Sequence, residues 1–156
     1  MALSAQDKTN EKRPLNGIVV SVLGDGANVS VNFERLAKIT ENFFLTGRLG
    51  GGYGRLLTPG VESDTILRPV YLTVPLQVTL NAGKSRHFAE AGIGSTAAIG
   101  NVYPHLLYYL TAGYRLQPLK SGNLSVRIYG NWLLNTRTGF RNLYFVPFGA
   151  SIGIVF

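Results

Sequence analysis

The residues of this chain that could do chemistry are few and scattered. The sequence has no cysteine, which excludes a thiolate nucleophile, a thiolate metal site and a disulfide scaffold. Hydrolysis by a serine needs a base within hydrogen-bond reach and a third group that orients the base. There are two histidines, His87 and His105. Each opens a strand-like stretch, and antiparallel pairing of those stretches puts the two rings at opposite ends. Ser95 follows Glu90 at odd spacing, so along a strand the two side chains point to opposite faces. No nucleophile, base and orienting group can be assembled from these residues. The expectation is a protein without catalysis, cofactor or metal site. His105 is the only candidate base, and His87 reads as an interfacial side chain. The glycine-rich "LGGGYG" lacks the Lys-Ser/Thr and the following helix of a phosphate loop; strand flexibility and close packing account for it.

A second kind of chemistry, ion pairing, has a clearer footing. The chain has 156 residues, a formal net charge of +7, and only 15% charged residues, against ~25% in an ordinary soluble domain. Five charged residues lie on the polar face of strand-like stretches: Glu34, Arg48, Glu90, Arg115 and Arg127. What they do depends on the elements that carry them.

Those elements are built on period-two alternation. "VYLTVPLQVTLN" sets Val70, Leu72, Val74, Leu76, Val78 and Leu80 on one face against Tyr71, Thr73, Pro75, Gln77, Thr79 and Asn81 on the other. "LLYYLTAGYRLQ" sets Leu106, Tyr108, Leu110, Ala112, Tyr114 and Leu116 against Tyr109, Thr111, Gly113, Arg115 and Gln117. "NFFLTGRLGGGY", "LSVRIYGNW" and the closing "YFVPFGASIGIVF" follow the same rule. Weaker alternation runs through "NGIVVSVLG", "NVSVNFERL" and "HFAEAGIGST", and no segment has a convincing helical period. About eight strands joined by turn signals predict an all-β, antiparallel up-and-down barrel. Alternation alone leaves open which face points inward. A soluble lipocalin-like barrel would expose a polar face dense in Lys and Glu. Here the polar face is Gly, Ser, Thr, Asn and Gln with rare charges of mixed sign, which suits a crowded interior. The apolar face is long and nearly free of charge, which suits lipid.

At this point a resemblance becomes specific. "YFVPFGASIGIVF", apolar on alternate positions and ending in Phe156, resembles the C-terminal signature of bacterial outer-membrane β-barrels. In that family the last strand is read by the barrel-assembly machinery, and the resemblance extends this role to Phe148, Ile152, Ile154 and Phe156. With "RHFAEAGIGST" and "AGYRLQP", the stretch from about Pro14 to Phe156 is similar to small eight-stranded outer-membrane proteins of the OmpA-transmembrane and OmpX type. The resemblance implies an outer-membrane location, a monomer and both termini in the periplasm. Residues 15–156 would form the barrel, 6–14 a periplasmic tail, and 1–5, "MALSA", the end of a signal peptide or an added start.

Topology follows. The turns near Lys38–Glu41, Gly83–Arg86 and Lys120–Asn123 would be periplasmic, while "GDGA", "TPGVESDTILR", "NVYPH" and "NTRTGFRN" would lie outside. Tyr53, Tyr108, Trp132 and Tyr144 would form the outer aromatic girdle. Arg55, Arg68, Arg137 and Arg141 would then lie at the height of lipopolysaccharide phosphates, which guanidinium groups pair well; solvated loop charges are the alternative. No basic stripe with interleaved stacking aromatics is present, so nucleic acid is not an expected partner.

Pairing the strands about their turns predicts an interior cluster of Arg48, Gln77, Glu90, Arg115 and Arg127. Centring one loop near Val102 and Tyr103 sets Glu90 opposite Arg115, and centring the next at Ser121 sets Arg115 opposite Arg127. Glu90 is then the central acid, with Gln77 and Tyr129 as hydrogen-bonding neighbours. The functional expectation is an integral outer-membrane barrel with a structural or surface-interaction role. The alternatives are a narrow porin-like channel and a soluble lipid-binding barrel.

Overall fold

Alternation of large apolar with small or polar side chains builds every strand, because successive residues of a strand point to opposite faces. A computed structural model of the chain describes residues 15–25, 27–55, 70–100, 105–117, 123–134 and 145–156. Eight strands follow in order: β1 (Asn16–Leu23), β2 (Val29–Lys38), β3 (Phe43–Arg55), β4 (Val70–Lys84), β5 (His87–Gly100), β6 (Leu106–Leu116), β7 (Leu124–Leu133) and β8 (Phe148–Val155). Each pairs antiparallel with the next, and β8 closes on β1 through Val20↔Ile152 and its neighbours, giving a closed barrel. Closure leaves no unpaired sheet edge. The expected all-β up-and-down barrel is the observed fold.

The two faces fall as the alternation requires. Ile18, Leu49, Leu72, Leu76, Ile93, Ile128 and Ile152 are exposed on the outer wall, while Ser30, Asn32, Thr79, Asn81, Thr96 and Asn131 are buried within. Two apolar clusters plug the interior. Leu36, Phe44 and Phe88 fill the end nearer the chain termini, with the Phe44 and Phe88 rings edge-on at 4.8 Å. Tyr71, Ala98, Leu107, Tyr109 and Phe145, backed by Leu133, fill the other end. The polar waist lies between them.

Inward tyrosines lie over inward glycines on neighbouring strands. Tyr109 is the register partner of Gly94, and a Cβ on that glycine would fall 2.5 Å from the ring. Tyr129 faces Gly149 in the same way, at 2.8 Å. The missing side chain gives each ring its space, so a narrow barrel holds large rings without a void.

One expectation changes. Glu90 pairs with Gly113, and Arg115 pairs with Phe88. The β5–β6 loop is therefore centred one residue earlier than the sequence reading placed it. A two-residue shift in partner keeps both side chains on the inner face. The Arg115↔Arg127 and Arg48↔Gln77 pairings are as expected. In the turn "GDGA", Gly24, Asp25 and Ala27 are buried. The turn folds into the barrel mouth, with Leu23 at φ 62° and Gly24 at φ 76°.

Candidate functional site: a buried ion-pair network

The interior charges come from alternate positions of strands whose outer faces are apolar, so the same pattern that builds the wall delivers them inward. Arg48 on β3 donates to Glu34 of β2 through Nε at 2.8 Å and Nη2 at 2.6 Å. Arg115 on β6 reaches across the lumen to the same carboxylate, through Nη1 at 2.8 Å and Nη2 at 3.1 Å. Its Nε also points at Glu90 Oε2, at 3.5 Å. Arg127 on β7 donates through Nε to Glu90 and through Nη2 to Gln77 Oε1 at 2.7 Å. Its guanidinium carbon lies 4.2 Å from the centre of the Tyr129 ring, a cation–π contact.

The inward turn extends the network. Arg48 Nη1 reaches Asp25 Oδ2 at 3.4 Å, and the Tyr129 hydroxyl donates to Asp25 Oδ1 at 2.8 Å. Thr96 donates to the Asp25 carbonyl at 3.0 Å, and Asn131 donates to the Gly24 carbonyl at 2.6 Å. Arg48 also touches the hydroxyls of Ser21 on β1 and Ser151 on β8, each at 3.3 Å. One connected set of side chains thus draws on all eight strands.

Its electrostatics are balanced. Asp25, Glu34 and Glu90 oppose Arg48, Arg115 and Arg127, and all six are at most 3% exposed. A guanidinium taken out of water is costly unless carboxylates and other acceptors surround it. Because the six cancel, the chain's net +7 lies entirely outside this network.

All five predicted cluster residues face the lumen. The structure differs over the acids: Glu34, rather than Glu90, is the central one, and Tyr129 serves Asp25 rather than Glu90. Sequence reasoning missed Glu34 and Asp25 as members. A signal was available: three inward arginines against two strand carboxylates leave one positive charge unbalanced, which requires a third acid.

The other expected residues are dispersed. Phe148, Ile152, Ile154 and Phe156 lie exposed on the outer wall. Arg55 is exposed at the end of β3, where its backbone N–H donates to Asn28 Oδ1 at 2.9 Å. Arg68, Arg137, Arg141, Tyr144, Lys120 and residues 1–14 lie outside the described residues. His87 sits on the outer surface and bonds Tyr114 through Nδ1, while His105 precedes β6 at the opposite end. Ser95 faces outward beside Tyr108. The fold does not bring these three together. Among the described residues no group of His, Asp and Glu is placed to hold a metal ion. In comparisons with known proteins, no protein-family model, curated protein or solved structure matches the chain.

Proposed function

We propose that this chain is an integral barrel of a bacterial outer membrane, with a solid polar interior and a structural or surface-interaction role without catalysis. The observation that carries this reading is the inversion of polarity. Charged side chains fill the interior, while Ile93, Trp132 and Phe148 stand about 60% exposed on the outer wall. In water such a wall is unfavourable by roughly 25 cal/mol per Å² of apolar surface; in a bilayer it is the solvated face. The outward stripe of β4, Val70 to Leu80, rises ~3.3 Å per residue. Tilted by ~40°, it covers about 25 Å, the height of the apolar band of outer-membrane barrels. Outward Tyr53, Tyr108 and Trp132 lie toward one end of that band, and Phe43, Tyr114 and Phe156 toward the other. Two such aromatic levels fit two membrane interfaces.

The resemblance of the β8 sequence to outer-membrane C-terminal strands adds the location and the barrel-assembly machinery as a partner during insertion. The channel alternative is disfavoured by the interior itself, whose network residues are almost fully inaccessible. The soluble lipid-carrier alternative is disfavoured because the lumen is filled by paired charges rather than shaped as an apolar cavity. The test is to refold the chain in detergent and compare boiled and unboiled gel migration. The reading expects a compact unboiled species and aggregation without detergent; a stable detergent-free monomer would overturn it.

A further inference from the structure

We propose that the rim nearer the chain termini binds the headgroups of anionic glycerophospholipids, through Arg35, Lys38, Lys84 and Arg86. The proposal rests on the membrane-barrel reading above. Its starting point is the charge balance: because the network is neutral, the positive excess must be carried elsewhere. Part of it is concentrated here. Arg35, Lys38, Lys84 and Arg86 are all exposed, and Glu41 carries the one acidic side chain among the described residues of this rim. None of the four forms an ion pair with another described residue.

Backbone geometry gathers them into one ledge. Arg35 lies opposite Asn16, which exchanges backbone hydrogen bonds with Phe156 at 2.8 and 3.1 Å. Arg35 therefore stands level with the end of the apolar wall. Lys38 ends β2, Lys84 ends β4, and Arg86 is the second residue of the two-residue turn into β5. The β2–β3 and β4–β5 connections are tied by the Gly83 N–H donating to the Asn42 carbonyl at 2.9 Å, so the cations share a continuous edge.

Two further observations set the height and the room. Phe43, Tyr114 and Phe156 are exposed at this end, and aromatic rings favour the headgroup level. Beside Arg35, its register partner Gly47 leaves a notch, because a Cβ there would meet nothing within 4 Å. A guanidinium and ammonium groups over such a notch can donate to the unesterified oxygens of a lipid phosphate. A zwitterionic headgroup brings its own ammonium into the same ledge and is repelled. An anionic headgroup is therefore selected, with roughly a fivefold gain for each cation at the surface.

The experiment refolds the full chain into nanodiscs of equal phosphatidylglycerol and phosphatidylcholine. Folding is monitored by the boiled-against-unboiled gel shift, and retained lipids are counted by native mass spectrometry. The wild type is expected to retain phosphatidylglycerol at least about tenfold over phosphatidylcholine. The variant carrying Arg35→Gln, Lys38→Gln, Lys84→Gln and Arg86→Gln is expected to lose that preference with its gel shift intact. Arg55→Gln, at the opposite rim, should keep it. An unselective wild type, a quadruple variant that remains selective, or equal loss in Arg55→Gln would overturn the proposal while leaving the barrel reading intact. In a second set of nanodiscs with lipid A in place of phosphatidylglycerol, a preference that the quadruple variant loses for lipid A while keeping it for phosphatidylglycerol would also overturn it. A wild type that shows no gel shift and needs no detergent would overturn the membrane reading, and this surface with it.

Discussion

Glu34 and Glu90 look alike in the sequence and are both buried beside two arginines, yet they hold different positions in the network. Glu34 accepts four N–H contacts between 2.6 and 3.1 Å, two from Arg48 and two from Arg115. Glu90 has a close contact to Arg127 and one contact to Arg115 at 3.5 Å. Two-point contact from each of two guanidiniums fixes direction as well as distance. Glu34 is therefore the keystone, and Glu90 is an outer member that shares Arg127 with Gln77 and the Tyr129 ring. The number of buried charges nearby does not distinguish the two acids; the number of aligned donors does.

The largest expected effect is Glu34→Ala. It leaves Arg48 only Asp25 at 3.4 Å and Arg115 only Glu90 at 3.5 Å as carboxylate partners, and loss of one partner from such a buried set costs about 3–5 kcal/mol. Urea unfolding in the presence of lipid vesicles measures it, and a loss no greater than that for Glu90→Ala would erase the distinction drawn here. Glu90→Ala is expected to cost less, toward the lower end of that range, because it removes two N–H contacts rather than four. Arg115 keeps Glu34, while Arg127 loses its carboxylate and keeps Gln77 and the ring. Glu34→Gln should fall between wild type and Glu34→Ala in the same assay, because an amide retains one acceptor oxygen but not the charge.

A smaller and more local effect is expected at the inward turn. Asp25→Asn retains an acceptor for the Tyr129 hydroxyl and gives up the charge facing Arg48, at about 1 kcal/mol. Hydrogen exchange should quicken at the Asp25 amide, which donates to the Leu23 carbonyl at 2.9 Å, while the β2–β3 and β6–β7 ladders stay protected. Gly24→Ala should act in the same place by another route. It imposes a side chain at φ 76° and puts a Cβ 2.7 Å from the Tyr129 ring. Uniform acceleration across all strands would mean that the turn is part of the global fold rather than a separately latched plug.

The fold was legible because period two states the face of every residue, and an even number of antiparallel strands can close into a barrel that leaves no edge. Membership of the cluster was legible for the same reason: Arg48, Gln77, Glu90, Arg115 and Arg127 lie on inward parity. Partner identity was less so, since it depends on loop geometry that composition does not specify. The β6–β7 turn was centred correctly at Ser121, whereas the β5–β6 loop was centred one residue late and gave Glu90 the wrong partner. Asp25 was illegible locally. Gly-Asp-Gly signals a turn, and only contacts with Arg48, Tyr129, Thr96 and Asn131, distant in sequence, draw that turn inward.

Arg115 touches both acids, so it can weigh them against each other in one background. Two double-mutant cycles share Arg115→Met, one with Glu34→Gln and one with Glu90→Gln, each read by urea unfolding with vesicles present. The network as described predicts a coupling of at least ~1.5 kcal/mol between Arg115 and Glu34, and a coupling with Glu90 within the ~0.5 kcal/mol of ordinary additivity. Equal couplings, or a larger one with Glu90, would contradict it.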